Sequence, residues 1–223
     1  AFLKAVTADT SMISDIAPDA KSLEGYLFPN TYEFTRMQSM DDMVAAMVKQ
    51  FRVVAREIGL IADTKNTDAK PADSTNDEAR KNDVQKSDVP QTVILASIVE
   101  KETAAAEERP LVASVYRNRM AEHESLQADP SVIYAELLQG SYGGALHHAD
   151  MQFDSAYNTY THPGLPPGPI GNPGKTSLEA AMHPASTDYF YFVSNGNGHH
   201  RFAHSLEEHN RNVAAYRKEM AGR

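Results

Sequence analysis

Residues 91–110 read QTVILASIVEKETAAAEERP. An apolar run passes straight into two glutamates, Glu100 and Glu102, with only Lys101 between them. Pro90 suits a helix start, where the first N–H groups lack intrahelical partners in any case, and 91–105 is expected to be helical. On a helix, residues three, four and seven apart share a face. Behind Glu102 lie Val99, Ile98 and Leu95; behind Glu100 lie Ser97, Ala96 and Val93. At this spacing the two carboxylates sit about 200° apart, so they cannot enter one cleft. Glu102 ends the more apolar stripe. A carboxyl there loses solvation, which disfavours its charged form and raises its pKa. A carboxyl that keeps its proton near neutrality can act as a general acid. The competing reading is a glutamate at the edge of the core that reaches water or pairs with Arg109 or Arg117. Periodicity leaves both readings open.

The rest of the chain has apolar material enough for one domain of ordinary size, with hydrophobic residues at 41% of 223. Cysteine is absent, which excludes disulfide frameworks, Cys-based zinc sites and thiol nucleophiles. The net charge of −9 comes with no Lys/Arg cluster, so nucleic acid is not an expected partner. An acidic surface also disfavours anionic lipid. No apolar run approaches the ~18 residues of a membrane span. The chain opens AFLKAVTADTSM, with neither Met nor a signal-peptide pattern, and reads as a piece of something longer.

Along the chain, LEGYLFPNTYEF (23–34) is aromatic and extended. From Asp41 onward Met43, Val44, Met47, Val48, Phe51, Val54 and Ile58 fall on one helical face, with Gly59 at the end. Residues 62–90 then hold, besides alanine and proline, only Val84 and Val89 as apolar side chains. Such a segment buries too little to offset its ordering entropy, and it reads as a mobile polar insertion. A second helix restarts at Pro110, burying Leu111, Val112, Val115, Tyr116 and Met120; SVIYAELL (131–138) predicts a third. TSLE (176–179) and SLEE (205–208) read as capping boxes. YFYFV, NGNG and HHRFA (189–203) predict a β-hairpin, followed by a last amphipathic helix through Leu206, His209, Val213, Tyr216 and Met220.

A second dense stretch is AYNTYTHPGLPPGPIGNPGK, 156–175. Its prolines, Pro166 and Pro167 among them, fix φ and remove donors, and a loop this stiff and long is usually functional. Tyr157 and Tyr160 offer apolar faces with a hydroxyl, and Asn158 and Thr159 offer donors and acceptors. That set suits an oligosaccharide groove. A structural loop packed over the core is the alternative. Gln127 and Asp129 precede the 131–138 helix, where Asp129 also serves as a helix-start residue beside Pro130. None of the nine histidines has the spacing of a metal motif. His199 and His200, adjacent on a strand, are expected on opposite faces, and His209 reads as a satisfied core histidine. No dinucleotide, Walker or acyl-hydrolase motif occurs.

Taken together, LEGYLFPNTYEF, ILASIVEKET, VASVYRNRM, LQADPSVIYA, YNTYTHPGLPPGPIGNPG, SLEAAMHPA and YFYFVSNGNGHHRF…EEHN resemble the endolytic murein transglycosylases of the MltG/YceG-like family, in that family's order and over about 23–216. The resemblance implies an α+β fold, with a mainly helical, lysozyme-like catalytic core and a C-terminal β-hairpin. It implies a lytic enzyme that cuts the MurNAc–GlcNAc bond of peptidoglycan glycan strands internally, leaving 1,6-anhydroMurNAc ends, without a cofactor or metal. It makes the glutamate of EKET the catalytic acid. The Glu-Thr-Ala order at 102–104, similar to Glu-Ser-Ala in other lytic transglycosylases, selects Glu102, with Glu100 second. Gln127, Asp129, Tyr157, Asn158, Thr159, Tyr160, Pro166, Pro167 and His200 are the expected substrate-binding residues. Residues 1–22 would be the tail of a LysM-like region, and 23–223 the catalytic domain carrying the insertion at 62–90. The implied location is the outer face of the bacterial cytoplasmic membrane, through an anchor absent from this chain, with cell-wall synthesis proteins as further partners. Asn30 stands where the family often has Asp. The rival functions are a lysozyme-type hydrolase and a non-catalytic glycan-binding module.

Overall fold

A computed structural model describes residues 2–62 and 89–222. Of the expected insertion, only Ala62, Val89 and Pro90 fall within the described residues.

The architecture is α+β: seven α-helices and one two-stranded antiparallel sheet among the described residues. Helix α1 (Phe2–Ala8) leads through a short 3-10 turn to the extended aromatic segment, and α2 spans Met40–Glu57. The expected start of α2 is realised as a capping box in which Ser39 and Asp42 satisfy each other's backbone N–H groups. Gly59, at φ +78°, follows its end. Arg52 of α2 holds the preceding segment in place by donating to the Met12 carbonyl and pairing with Asp15. Val6 and Ile13 thereby join the same core as the later helices.

Helix α3, Val89–Glu102, is the central element. Val89, Val93, Leu95, Ala96, Ser97, Ile98 and Val99 are all buried, more than one face can supply, so the helix is enclosed on most sides. It packs against α4 (Arg109–Ala121), α5 (Asp129–Gln139) and α6 (Lys175–Met182). It stops at Glu102, short of the expected 105. Beyond it the Thr103 hydroxyl accepts from the Ala105 N–H at 3.1 Å, giving the backbone a partner outside the helix. Helix α5 ends at Gly140, φ +73°.

Two expected caps differ. Helix α6 begins two residues early at Lys175, with Gly174 in place of Thr176 at the uncapped start; Thr176 instead contacts Arg109. At the start of α7 (Leu206–Ala221), Ser205 accepts from the Glu208 N–H, but the Glu208 carboxylate turns to the His204 N–H. The hairpin pairs β1 (Tyr191–Ser194) with β2 (His200–Ala203) in the register Tyr191↔Ala203 to Ser194↔His200. Helix α7 packs on this hairpin and buries none of its residues fully.

The proline-rich loop is fastened both to α3 and to the aromatic segment. The Ile170 N–H donates to Ser97 Oγ at 3.0 Å, and the Gly174 N–H to Glu100 Oε2 at 3.0 Å. Asn172 Oδ1 accepts from the N–H groups of Gly25 and Leu27, at 2.7 and 3.2 Å. Gly25 adopts φ +88°, and a Cβ there would fall 2.4 Å from Pro169. Only glycine allows this contact between loop and aromatic segment.

Candidate active site

The C-terminal end of α3 delivers Glu102 to the floor of a cavity of about 290 Å3. Its apolar walls include Val115, Leu126 and Phe192. The buried Tyr116 hydroxyl donates to Glu102 Oε1 at 2.5 Å. Burial raises the Glu102 carboxyl from its ordinary 4.5 to about 7; the Tyr116 hydrogen bond works against this rise and the Asp129 charge adds to it. The stripe read from the sequence thus has its physical consequence: a carboxyl half-protonated near neutrality, beside a cavity.

Asp129, the first residue of α5, enters the same cavity. Its Oδ1 accepts from the Tyr160 hydroxyl at 2.5 Å. Burial raises the Tyr160 hydroxyl above its usual range, helped by that hydrogen bond and by the charges of Asp129 and Glu102. Gln127 lines the cavity from a left-handed backbone, φ 53°. Its N–H donates to the Thr159 carbonyl at 3.1 Å, and its Oε1 faces Arg119 Nη1 at 3.4 Å. A non-glycine residue at such φ carries strain of about 1 kcal/mol, held here by the neighbouring chain.

Arg119 is buried beneath this wall. It donates to the carbonyls of Phe190, Ser125 and Leu126 at 2.7, 3.1 and 3.0 Å, and its guanidinium lies 4.9 Å from the Tyr191 ring centre. It ties the hairpin to the 125–127 turn. His209 and Leu206 of α7 complete the cavity. His209, expected to be satisfied, has a buried Nδ1 without a hydrogen-bond partner among the described residues. Burial, then the Arg119 charge, lowers its pKa, which favours the neutral imidazole.

The remaining candidates lie elsewhere. Glu100, on the opposite face of α3, pairs with Arg109 at 3.2 Å and receives Gly174; it anchors the loop. Asn158 and Thr159 are buried at 0% and 1% exposure and face inward rather than into a groove. The Asn158 amide donates to the carbonyls of Met151 and Phe153, and its Oδ1 accepts from the Tyr160 N–H. Thr159 Oγ1 accepts from the Ala128 N–H and meets Ser131 Oγ. Together they set the turn that aims Tyr160 at Asp129. Tyr157 and Pro167 line a different cavity, and Pro166 is buried in the loop. His200 donates its N–H to Glu108 Oε1 at 3.0 Å and places Nδ1 2.7 Å from Oε2. His199 precedes β2 and reaches the same carboxylate at 3.2 Å, so the expected opposition of the two imidazoles fails because His199 lies outside the strand. Although burial opposes it, these contacts, led by His200, hold the Glu108 carboxyl below its usual range.

The model of the YceG-like family matches residues 2–215. The chain belongs to this family. It is 37% identical over 195 residues to an endolytic murein transglycosylase of Bacillus subtilis, covering 87% of this chain and 48% of that protein. It is 34% identical over 204 residues to the protein of that name in Streptococcus pneumoniae, covering 87% and 32%. The chain therefore spans about a third to a half of the length of these relatives. A crystal structure of a YceG-like protein from Listeria monocytogenes superposes with a TM-score of 0.74 at 35% identity, covering 94% of this chain and 66% of that one.

Two residues of the site go beyond the sequence expectations: Tyr116, expected only as core, and Arg119. A signal existed for Arg119: it stands three, four and seven positions beyond Tyr116, Val115 and Val112, a charge on an apolar face. For Tyr191 and Leu206 no comparable signal exists, since their place at the cavity depends on how the hairpin docks.

Proposed function

We propose that this domain is a lytic transglycosylase acting within peptidoglycan glycan strands, with Glu102 as acid and then base. The observation that carries the reading is the Glu102 carboxyl, held by Tyr116 against a cavity and raised to about 7. Protonated Glu102 donates to the oxygen joining MurNAc to GlcNAc. As that bond breaks, positive charge develops at C1, and the substrate's acetamido group or the Asp129 carboxylate across the cavity stabilises it. Glu102, now ionised, takes the proton of the MurNAc C6 hydroxyl, whose oxygen attacks C1 and closes the 1,6-anhydro ring. Atoms balance without water. Tyr160 holds Asp129, while Gln127 and the neutral His209 offer polar contacts to sugar groups. Residues 1–22 fit the tail of a LysM-like region, and the enzyme would work at the outer face of the cytoplasmic membrane through an anchor N-terminal to this chain.

One observation favours a second reading. Two carboxylates, Glu102 and Asp129, share the cavity, the equipment of a lysozyme-type hydrolase. Mass spectrometry of peptide-stripped glycan strands separates the two: transglycosylation leaves anhydro ends one water lighter than hydrolytic ends. Internal anhydro fragments, lost with Glu102→Gln, are the expected result. Reducing ends would establish the hydrolase, and undiminished cleavage by Glu102→Gln would remove Glu102 from the mechanism.

A further inference from the structure

A second cavity, of about 380 Å3, opens on the other side of the YNTY turn. It is walled by Pro18, Ile94, Pro167 and Pro169, and its inner polar groups are Glu24, Tyr134 and Tyr157. The Tyr134 hydroxyl donates to Glu24 Oε2 at 2.5 Å; Oε1 accepts no hydrogen bond from the described residues. The Tyr134 and Tyr157 rings stand 4.9 Å apart at 54°. The Glu24 charge reaches Tyr157, where it reinforces the upward push of burial on that hydroxyl. Asp19 and Lys21, exposed at the rim, are opposite in charge, so Glu24 is the unbalanced inner group.

One fixed carboxylate with a free oxygen, beside two aromatic rings, is the arrangement that holds an ammonium. The walls select further. Proline and isoleucine surfaces would strand the many hydroxyls of a sugar, whereas they suit the methylene stem of an alkylammonium side chain. We infer that this cavity binds the side-chain ammonium of a diamino acid on a short peptide. This rests on the reading of the domain as a peptidoglycan enzyme, since that polymer hangs short peptides with a diamino acid from its sugars.

The spacing agrees. Helix α5 carries Asp129 into the first cavity and Tyr134 into the second, five residues and about 7.5 Å along the axis. Helix α3 carries Glu102 and Ile94, eight residues and about 12 Å apart. A peptide attached to the sugar beside Glu102 spans about 10 Å in three extended residues. The site would therefore read a peptide whose amine is free and reject one whose amine is acylated by a cross-link.

The test is titration of the isotope-labelled protein by NMR with Nα-acetyl-lysine methylamide, with its Nε-acetylated counterpart, and with an N-acetylglucosamine trimer. The expected result is that the free amine shifts the Gly168 amide and Tyr157 ring signals, while the acylated probe binds at least tenfold more weakly. Glu24→Gln weakens the free amine at least tenfold. Tyr157→Leu, which retains the carboxylate, weakens it severalfold and guards against a folding artefact in the first variant. Equal binding of the two lysine probes, no shift at millimolar concentration, or a shift from the sugar alone would overturn the inference. Because this titration needs no cleavage, its outcome is separate from that of the proposed reaction. Strands bearing free or acetylated amines, digested in parallel, should show a rate difference that Glu24→Gln abolishes.

Discussion

Replacing Glu102 with glutamine should stabilise the protein, and by an amount that depends on pH. In the unfolded chain the carboxyl ionises at its ordinary 4.5; in the folded protein it ionises at about 7. Between these values the folded state binds more protons than the unfolded state, so stability falls as pH rises. Below pH 4.5 both states are protonated and Glu102 contributes no penalty. Above pH 7 the full cost of a buried carboxylate is present, about 3 kcal/mol at 1.36 kcal/mol per pH unit. Glutamine has the same shape, carries no charge, and presents an oxygen to the Tyr116 hydroxyl as the carboxyl did. Urea unfolding of parent and Glu102→Gln should therefore nearly coincide at pH 4 and diverge to about 3 kcal/mol at pH 8. With a urea dependence of about 1–3 kcal/mol per molar, the variant's midpoint moves upward by about 1 M or more. A difference that is flat between pH 4 and 8, or a variant less stable than the parent at pH 8, would refute the claim that burial raises this carboxyl.

Glycan cleavage should lose rate above about pH 7 as Glu102 deprotonates. Asp129→Asn removes a charge that raises Glu102 and should move that limb to lower pH, whereas Tyr116→Phe removes a hydrogen bond that lowers Glu102 and should move it higher; rate–pH profiles of both variants check the opposed signs. Glu100→Gln breaks the Arg109 pair and weakens the hold on Gly174, for an expected loss of about 1–2 kcal/mol in denaturant unfolding with the pH limb of cleavage unmoved. Gly25→Ala meets both a positive φ and the Pro169 ring, and a loss of about 2–4 kcal/mol is expected by thermal or urea unfolding.

Much of the helical scaffold was legible because each helix carries a local signature. Period and caps placed α2, α4 and α5, and the NGNG turn placed the hairpin. Where the structure departs from the local pattern, a longer-range contact prevails over a local preference. The TSLE box did not form because Thr176 contacts Arg109, far away in sequence. His199 and His200 converge because Glu108 reaches both. The raised carboxyl of Glu102 was legible because desolvation follows from an apolar stripe, although periodicity by itself left its role open. Asn158 and Thr159 illustrate the opposite case. Their donors and acceptors are the types that bind sugars, and the same types close a tight turn. Residue type does not say which way a buried amide faces.

The two glutamates of EKET show why one helix carries both. Placed two residues apart, they leave α3 on opposite faces, and each face sets the fate of its carboxylate. Glu100 meets Arg109 and the Gly174 N–H, and these contacts fasten the proline-rich loop. Glu102 meets an apolar wall whose desolvation favours its proton, and this outweighs the opposing hydrogen bond from Tyr116. The loop that Glu100 and Ser97 fasten is continuous with the YNTY turn, whose Tyr160 orients Asp129. Asp129 in turn adds to the rise of Glu102. The structural carboxylate thus helps to set the environment of the acidic one through the loop, so a one-residue shift in α3, which would turn both carboxylates by about 100°, would lose both the anchor and the desolvated carboxyl of the cavity.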